Sequence, residues 1–184
     1  MGEGYGFTCQ KCGKNYEVLL GVGFAFPFVY EETVEKTLKG KYGAKAKKLF
    51  QDEPFAAVDC EIGLFKCECG NWKAEEIMDF YVPKDREKIK AKEYGRWSIA
   101  TEKAEEHNGK TAEEIGHIPY VSQNELQNDF QLVFSRPHVC KKCKKEMKRI
   151  KRPNSYVMRF GLSYPKCGTK NKLDPENPSL IMWD

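Results

Sequence analysis

The stretch that decides the fold is Phe7-Thr8-Cys9-Gln10-Lys11-Cys12-Gly13-Lys14-Asn15-Tyr16. Two cysteines separated by two residues and followed by glycine predict a tight turn, here called a knuckle, whose two sulfurs converge on one ion. A second pair lies in Cys67-Glu68-Cys69-Gly70, with one intervening residue. Two such turns brought together place four sulfurs at the corners of a tetrahedron. We therefore predict that Cys9, Cys12, Cys67 and Cys69 share one metal ion.

Zinc is the metal that this prediction favours, and the module would then be a zinc ribbon. Iron is the second choice, because the first knuckle resembles that of rubredoxin. Reduced, unliganded thiols and a redox pair remain the alternatives. Thioredoxin-like motifs open a helix, whereas the residues after Cys12 predict a turn into a strand, which disfavours a redox role.

Three further cysteines, Cys140, Cys143 and Cys167, form an incomplete set near the other end of the chain. Cys167-Gly168 follows Tyr164-Pro165, so that tyrosine stands where a Cys-Pro-x-Cys-Gly knuckle has its first ligand. His138 could supply the fourth ligand as an imidazole, and a degenerate ribbon without metal is the alternative. The isolated Cys60 is predicted to be an ordinary strand residue.

The net charge of +4 hides a strong asymmetry along the chain. Residues 136–172 contain 13 basic residues and one acidic residue, for a net charge of +12, and the remainder carries −8. Such a patch favours phosphate backbones or an acidic protein surface, while a merely solvated face is the plainest alternative. The candidate contacts are Lys141, Lys142, Lys144, Lys145, Lys148, Arg149, Lys151, Arg152 and Arg159.

Between the cysteine motifs the pattern predicts α+β structure: zinc-ribbon-like small β modules with an inserted helix and a helical or irregular middle segment. Apolar residues recur at helical spacing over 31–51, where Gly40 and Gly43 favour two short helices. Capping boxes begin at Thr111 and Ser122. We expect an N-terminal ribbon module with a helical insertion at 1–83, a charged helical or linker segment at 84–129, and a basic ribbon-like module at 130–184.

The sequence disfavours several functional classes. No apolar run approaches the roughly 20 residues of a membrane span, so we expect no membrane association. The first residues do not resemble an export signal, which predicts a reducing, cytoplasmic location. With three histidines, no nucleophile elbow and no phosphate-binding glycine loop, the chain is predicted not to be an enzyme.

Several motifs together resemble uncharacterised Firmicutes-type bacterial proteins with two zinc-ribbon modules. They are Met1-Gly2-Glu3-Gly4, Cys9-x-x-Cys12, Leu20-Gly21-Val22-Gly23, Pro27-x-x-Tyr30, and Cys140-x-x-Cys143 with Pro165-x-Cys167-Gly168. The resemblance implies a bacterial cytoplasmic protein with two ribbons and implies no particular activity. The chain departs from that pattern at Cys67-x-Cys69 and at Tyr164.

These observations predict a non-enzymatic, metal-stabilised protein that binds nucleic acid or a nucleoprotein through its basic C-terminal ribbon. The alternative is a regulator that binds a protein, for example an anti-CRISPR-type inhibitor of a nuclease. A redox or hydrolytic enzyme is the third possibility, and it would need an open metal site or a reactive thiol.

Overall fold

The computed structural model describes residues 2–9, 11–23, 26–95, 106–151, 162–163, 167–169 and 179–183. These residues form a mixed α+β structure with small antiparallel sheets, which agrees with the predicted class. The strands are β1 (Gly2–Thr8), β2 (Asn15–Leu20), β3 (Ala57–Asp59), β4 (Ile62–Lys66), β5 (Trp72–Glu76), β6 (Asp79–Pro83), β7 (Glu93–Tyr94), β8 (Lys110–Thr111), β9 (Phe130–Ser135), β10 (Lys148–Arg149) and β11 (Ser179–Trp183). The helices are α1 (Phe26–Leu38), α2 (Ala44–Asp52), α3 (Arg86–Lys90), α4 (Ala112–Ile115) and α5 (Gln123–Asp129).

The chain divides into two compact units, each assembled from separate segments. Unit 1 comprises Met1–Gly23, Glu61–Ile77 and Arg136–Asp184, and unit 2 comprises Phe24–Cys60 and Met78–Ser135. All the cysteine knuckles lie in unit 1, and unit 2 consists of the two segments inserted between its parts. The expected boundaries at residues 83 and 129 do not coincide with these units, and the expected N-terminal and C-terminal ribbons belong to one unit.

Unit 1 contains two three-stranded antiparallel sheets. In the first, β1 lies between β11 and β2, and in the second, β4 lies between β10 and β5. An isolated bridge between Gly21 and Ile62 links β2 to the start of β4. Buried side chains pack between the strands; they are Phe7, Val18, Leu20, Leu64, Trp72 and Leu162. Cys9 is buried in the same cluster, so the apolar core reaches the base of the first knuckle.

In the residues that the structure describes, unit 2 contains helices α1 to α5 and two sheets, one ordered β3-β6-β9 and the other pairing β7 with β8. Helix α1 ends before Gly40, and α2 begins after Gly43; both glycines have positive φ, at 85° and 104°. The predicted division into two helices is confirmed. Both capping boxes also form, with the side chains of Thr111 and Ser122 accepting hydrogen bonds from the third helical residue.

Two local expectations were wrong. Glycines and Pro27 interrupt the apolar stretch before Tyr30, which predicts an irregular loop there, but α1 already begins at Phe26. Pro27 is compatible with this because the first helical turn needs no N–H donor. The stretch from Lys84 to Gly116 is charged and poor in aliphatic residues, which predicts an exposed segment, yet it contributes Ile89, Tyr94 and Ala112 to the core of unit 2.

Candidate metal centres

Three knuckles share one backbone pattern. In the first, the Cys9 N–H donates to the Lys14 carbonyl at 2.8 Å and the Gly13 N–H donates to the Cys9 carbonyl at 2.7 Å. The Cys140 knuckle repeats both bonds at the same spacing, with Lys145 and Lys144 as partners at 2.9 Å. These bonds close the turn around each pair of sulfurs.

The Cys67 knuckle is the same turn shortened by one residue. The Cys67 N–H donates to the Asn71 carbonyl at 2.8 Å, and the Gly70 N–H donates to the Cys67 carbonyl at 2.9 Å. The missing residue therefore removes one position from the turn without removing either hydrogen bond. The single intervening residue in Cys67-x-Cys69 is therefore compatible with the hydrogen-bonded turn of a knuckle.

The residue after the second cysteine adopts the left-handed conformation in all three knuckles. It is Gly13 (φ 66°) in the first and Gly70 (φ 86°) in the short one, but it is Lys144 (φ 62°) in the third. A side chain costs free energy in this region because Cβ approaches the following carbonyl oxygen. The Cys140 knuckle is therefore the strained member of the set.

Cys67, Cys69, Cys140 and Cys143 form a four-sulfur cluster, with all Sγ atoms within 4.8 Å of one another. Cys67 Sγ lies 3.3 Å from Cys143 Sγ, and Cys69 Sγ lies 3.7 Å from Cys140 Sγ. A disulfide would need about 2.05 Å. Tetrahedral thiolates at about 2.3 Å from a metal ion would lie about 3.8 Å apart. The cluster therefore fits a metal ion and not a pair of disulfides.

This grouping corrects the expected pairing of Cys67 and Cys69 with the first knuckle. Strand β10 pairs with β4 so that Lys148 lies opposite Lys66, the residue before Cys67. A bridge between Val139 and Glu146 closes the base of the Cys140 knuckle. Strand pairing between distant segments thus brings the second and third knuckles together.

Cys9, Cys12 and Cys167 form a second cluster, again within 4.8 Å, and Cys9 Sγ lies 3.5 Å from Cys167 Sγ. The first knuckle is the tip of the β1–β2 hairpin, whose last pair is Thr8 with Asn15. The segment before Cys167 is anchored by the buried side chain of Leu162 and by Trp72, whose indole N–H donates to the Ser163 carbonyl at 2.7 Å. Tyr164 lies outside the described residues.

His138 is not a ligand of either cluster, which corrects the expectation of a mixed sulfur and nitrogen site. Its side chain is 9% exposed and stacks on Phe65 with ring centroids 3.7 Å apart. Nε2 donates to the Ile77 carbonyl at 2.9 Å, and Nδ1 contacts the carboxylate of Glu75. Both nitrogens are engaged, so neither has a lone pair free for a metal. The expected set of Cys140, Cys143 and Cys167 is also divided: Cys67 and Cys69 complete the site of Cys140 and Cys143, and Cys167 lies with Cys9 and Cys12.

Asn71 is a contributor that sequence reasoning missed. Its side-chain amide donates to Cys140 Sγ at 3.5 Å, from the position directly after Gly70. Hydrogen bonds to a ligand atom orient it and stabilise its charged form. The signal was present in the sequence as a polar side chain next to a knuckle, but it needed the correct knuckle pairing to be interpreted.

The two buried thiols of the four-sulfur cluster have opposite pKa shifts. The backbone N–H of Cys143 lowers the pKa of Cys140 to about 6, against the effect of burial and with help from the N–H of Lys142 and the amide of Asn71. The backbone N–H of Cys69 lowers the pKa of Cys67, but burial and the neighbouring Cys143 thiol raise it to about 12. A metal ion must displace the more tightly held proton, so its affinity rises with pH.

In the second cluster, Thr169 and its backbone N–H lower the pKa of Cys167 to about 7. Burial raises the pKa of Cys9. Thiolates are the ligands that zinc, cuprous copper and iron prefer in proteins. Both clusters can therefore hold a metal ion. Among the residues that the structure describes, they are the only groups of three or more metal-ligating side chains close enough to do so.

The basic candidates surround the four-sulfur cluster. Seven are exposed between residues 141 and 151; they are Lys141, Lys142, Lys144, Lys145, Lys148, Arg149 and Lys151. Glu68 lies between the two cysteines of the short knuckle, and its Oε2 and Oε1 are each 3.9 Å from an ammonium group, that of Lys145 and that of Lys148 respectively. Those two lysine side chains remain 70% and 85% exposed. The candidates Arg152 and Arg159 lie outside the described residues.

Two other features lie in unit 2. Cys60 is 3% exposed in the apolar core and belongs to neither cluster. A cavity of about 430 Å³ is lined by His107 and His117 together with glutamates and aliphatic side chains. The two imidazole rings meet edge to face at 5.8 Å, and His107 Nδ1 lies 3.6 Å from a carboxylate oxygen of Glu31.

Of the helices in the described ranges, none combines the length and the apolar character that crossing a bilayer requires. No protein-family model matches the chain, and comparison with curated proteins and with solved structures also finds no match. The basis for a functional proposal is therefore the chain's own residues, chiefly the two cysteine clusters.

Proposed function

We propose that this is a non-enzymatic, zinc-stabilised protein that binds nucleic acid through the basic surface around the Cys140 knuckle. The observation that carries the proposal is the position of this knuckle: its exposed lysines are fixed to a four-sulfur cluster. A metal there would hold the turn rigid, because a four-thiolate site is coordinatively closed and serves structure.

The charge balance supports an anionic partner even after the metal complex is counted. Zinc with four thiolates carries a formal charge of −2, and Glu68 and Glu146 add one negative charge each. The seven exposed basic side chains outnumber these four negative charges. The surface therefore stays positive, and phosphate groups would release counterions on binding it.

We propose zinc over iron because a closed four-thiolate site serves structure. Zinc has no redox chemistry and binds four thiolates in tetrahedral geometry, which suits such a site. Metal analysis of the purified chain, with an absorption spectrum, tests this choice. We expect zinc and no visible absorption. A coloured protein containing iron at the four-sulfur cluster would overturn the assignment of the metal.

Nucleic-acid binding is tested by fluorescence anisotropy with single-stranded and double-stranded oligonucleotides at several salt concentrations. The logarithm of affinity should fall linearly with the logarithm of salt concentration, with a slope of about −0.7 to −0.9 per phosphate contacted. Replacing Lys141 and Lys142 by glutamine should make the slope shallower by about 1.4 to 1.8 if each contacts one phosphate.

The matched control replaces Lys41 and Lys48, two exposed lysines of unit 2, by glutamine. It makes the same change in net charge away from the knuckle and should leave the slope unchanged. No binding of any oligonucleotide at low salt would refute the proposal. A nuclease-resistant complex with a protein partner, in the absence of such binding, would favour the regulator instead.

A further inference from the structure

The two clusters differ in one countable respect, the number of sulfurs. The chain has eight cysteines. Four belong to the cluster of Cys67 and Cys140, three belong to the cluster of Cys9, and Cys60 lies in the core of unit 2. The cysteines are thereby all assigned, and none is left to be a fourth member of the second cluster.

The imidazoles are assigned as well. Both ring nitrogens of His138 are engaged by Glu75 and Ile77. His107 and His117 line the cavity of unit 2. Thr169 Oγ1 lies 3.5 Å from Cys167 Sγ, where its hydroxyl serves as a hydrogen-bond partner of the sulfur. The usual strong protein ligands of zinc other than carboxylates are therefore accounted for.

One cysteine of this cluster is accessible to solvent. Cys9 is buried, Cys167 is partly buried and Cys12 is exposed. A tetrahedral ion bound by three such sulfurs would have a fourth position to fill. Zinc sites with three protein ligands characteristically hold water or another exchangeable ligand there.

We propose that Cys9, Cys12 and Cys167 form a three-thiolate zinc site whose fourth position accepts an exchangeable ligand, water or a small thiol or imidazole that replaces it. The chain would thus carry one closed site and one open site. The inference does not depend on nucleic-acid binding, and either proposal can fail without the other.

Cobalt substitution of the whole chain tests the inference, since the absorption of Co²⁺ reports its ligands. The protein is loaded with two equivalents of Co²⁺ in a buffer whose reductant is a phosphine and not a thiol. Either 2-mercaptoethanol or imidazole is then added. We expect the spectrum of one cobalt centre to change while the other stays constant. A chelator should also remove the responding ion first. The chelator concentration that removes it should be at least about tenfold lower than that for the other ion, which corresponds to binding weaker by about 1.4 kcal/mol.

Two variants at one position separate an external from an internal fourth ligand. Tyr164→Cys supplies a fourth sulfur at the position where such a knuckle has one, so it should abolish the response to added ligand and remove the difference in chelator sensitivity. Tyr164→Phe should keep both. An unresponsive wild type would overturn the proposal, because a ligand from the chain itself would then fill the fourth position; a response that appears in Tyr164→Phe would identify that ligand as the phenol oxygen. Binding of a single cobalt ion that survives Cys9→Ser would overturn it by showing that the three thiolates hold no ion.

Discussion

Replacing Lys144 by glycine should stabilise unit 1, although it removes a charged residue from an exposed turn. Lys144 has a φ of 62°, whereas glycine occupies the equivalent position of the other two knuckles. The left-handed conformation costs a residue with a side chain about 1–2 kcal/mol. Glycine removes that cost. It also increases the conformational entropy of the unfolded chain, which lowers stability by about 0.4–1 kcal/mol.

The expected net gain is therefore about 0–1.6 kcal/mol, which corresponds to a rise of up to about 6 °C in Tm for a protein of this size. The measurement is thermal unfolding of the metal-loaded protein, followed by circular dichroism at fixed free zinc. Fixed free zinc is needed because metal binding is part of the folding free energy.

Lys142→Gly is the matched control. It removes the same charge from the same turn, but Lys142 does not have a positive φ, so only the unfolded-state effect remains. This control should lower stability by about 0.4–1 kcal/mol. The two variants should thus change Tm in opposite directions. If Lys144→Gly lowers Tm as Lys142→Gly does, the strain assigned to the third knuckle does not exist.

Three further outcomes are expected. Cys67→Ser and Cys143→Ser should each remove the same metal equivalent, so metal analysis of the double variant should match the single variants; loss of two equivalents would contradict the four-sulfur grouping. His138→Ala should keep the full metal content but cost about 1–3 kcal/mol in urea unfolding, because the buried Ile77 carbonyl loses its donor; a lower metal content would restore His138 as a ligand. Burial raises the pKa of Glu125, but contacts with Lys92 and with the Ser122 N–H and hydroxyl outweigh it and lower the pKa below its ordinary value. The stabilisation by this carboxylate is present above its unfolded pKa of about 4.3 and is lost as the pH falls through the lower folded value. Glu125→Gln should therefore reduce the acid sensitivity of unfolding, and an unchanged pH profile would count against the pair.

Local features of this chain were predictable because adjacent residues determine them. The knuckle at Cys9 follows from cysteine spacing and a glycine, and the break between α1 and α2 follows from Gly40 and Gly43. The capping box at Ser122 needed only a serine and a glutamate three residues apart. In each case the competing structures are few, so the residue types decide.

The grouping of the knuckles was not predictable because it depends on pairing between distant strands. Cys67 was assigned to the nearest preceding knuckle, but the β4–β10 pairing joins it to a turn whose last cysteine is 76 residues later. The role of His138 was misjudged for the same reason, since Glu75 and Phe65 reach it only through tertiary packing. The spacing of cysteines along the chain identifies each knuckle, but it does not determine which two knuckles share a metal ion.

The separation of the cysteines of each cluster along the chain has a consequence for biosynthesis. Ribosomes elongate at about 5–20 residues per second, so the short knuckle would emerge roughly 4–15 seconds before its partner 71–76 residues later. The first knuckle waits longer still for Cys167. During translation both pairs of thiols are therefore incomplete chelators, open to oxidation and to the wrong ion. Loading of the four-sulfur site can finish only after Cys143 has been made, and loading of the other site only after Cys167 has been made.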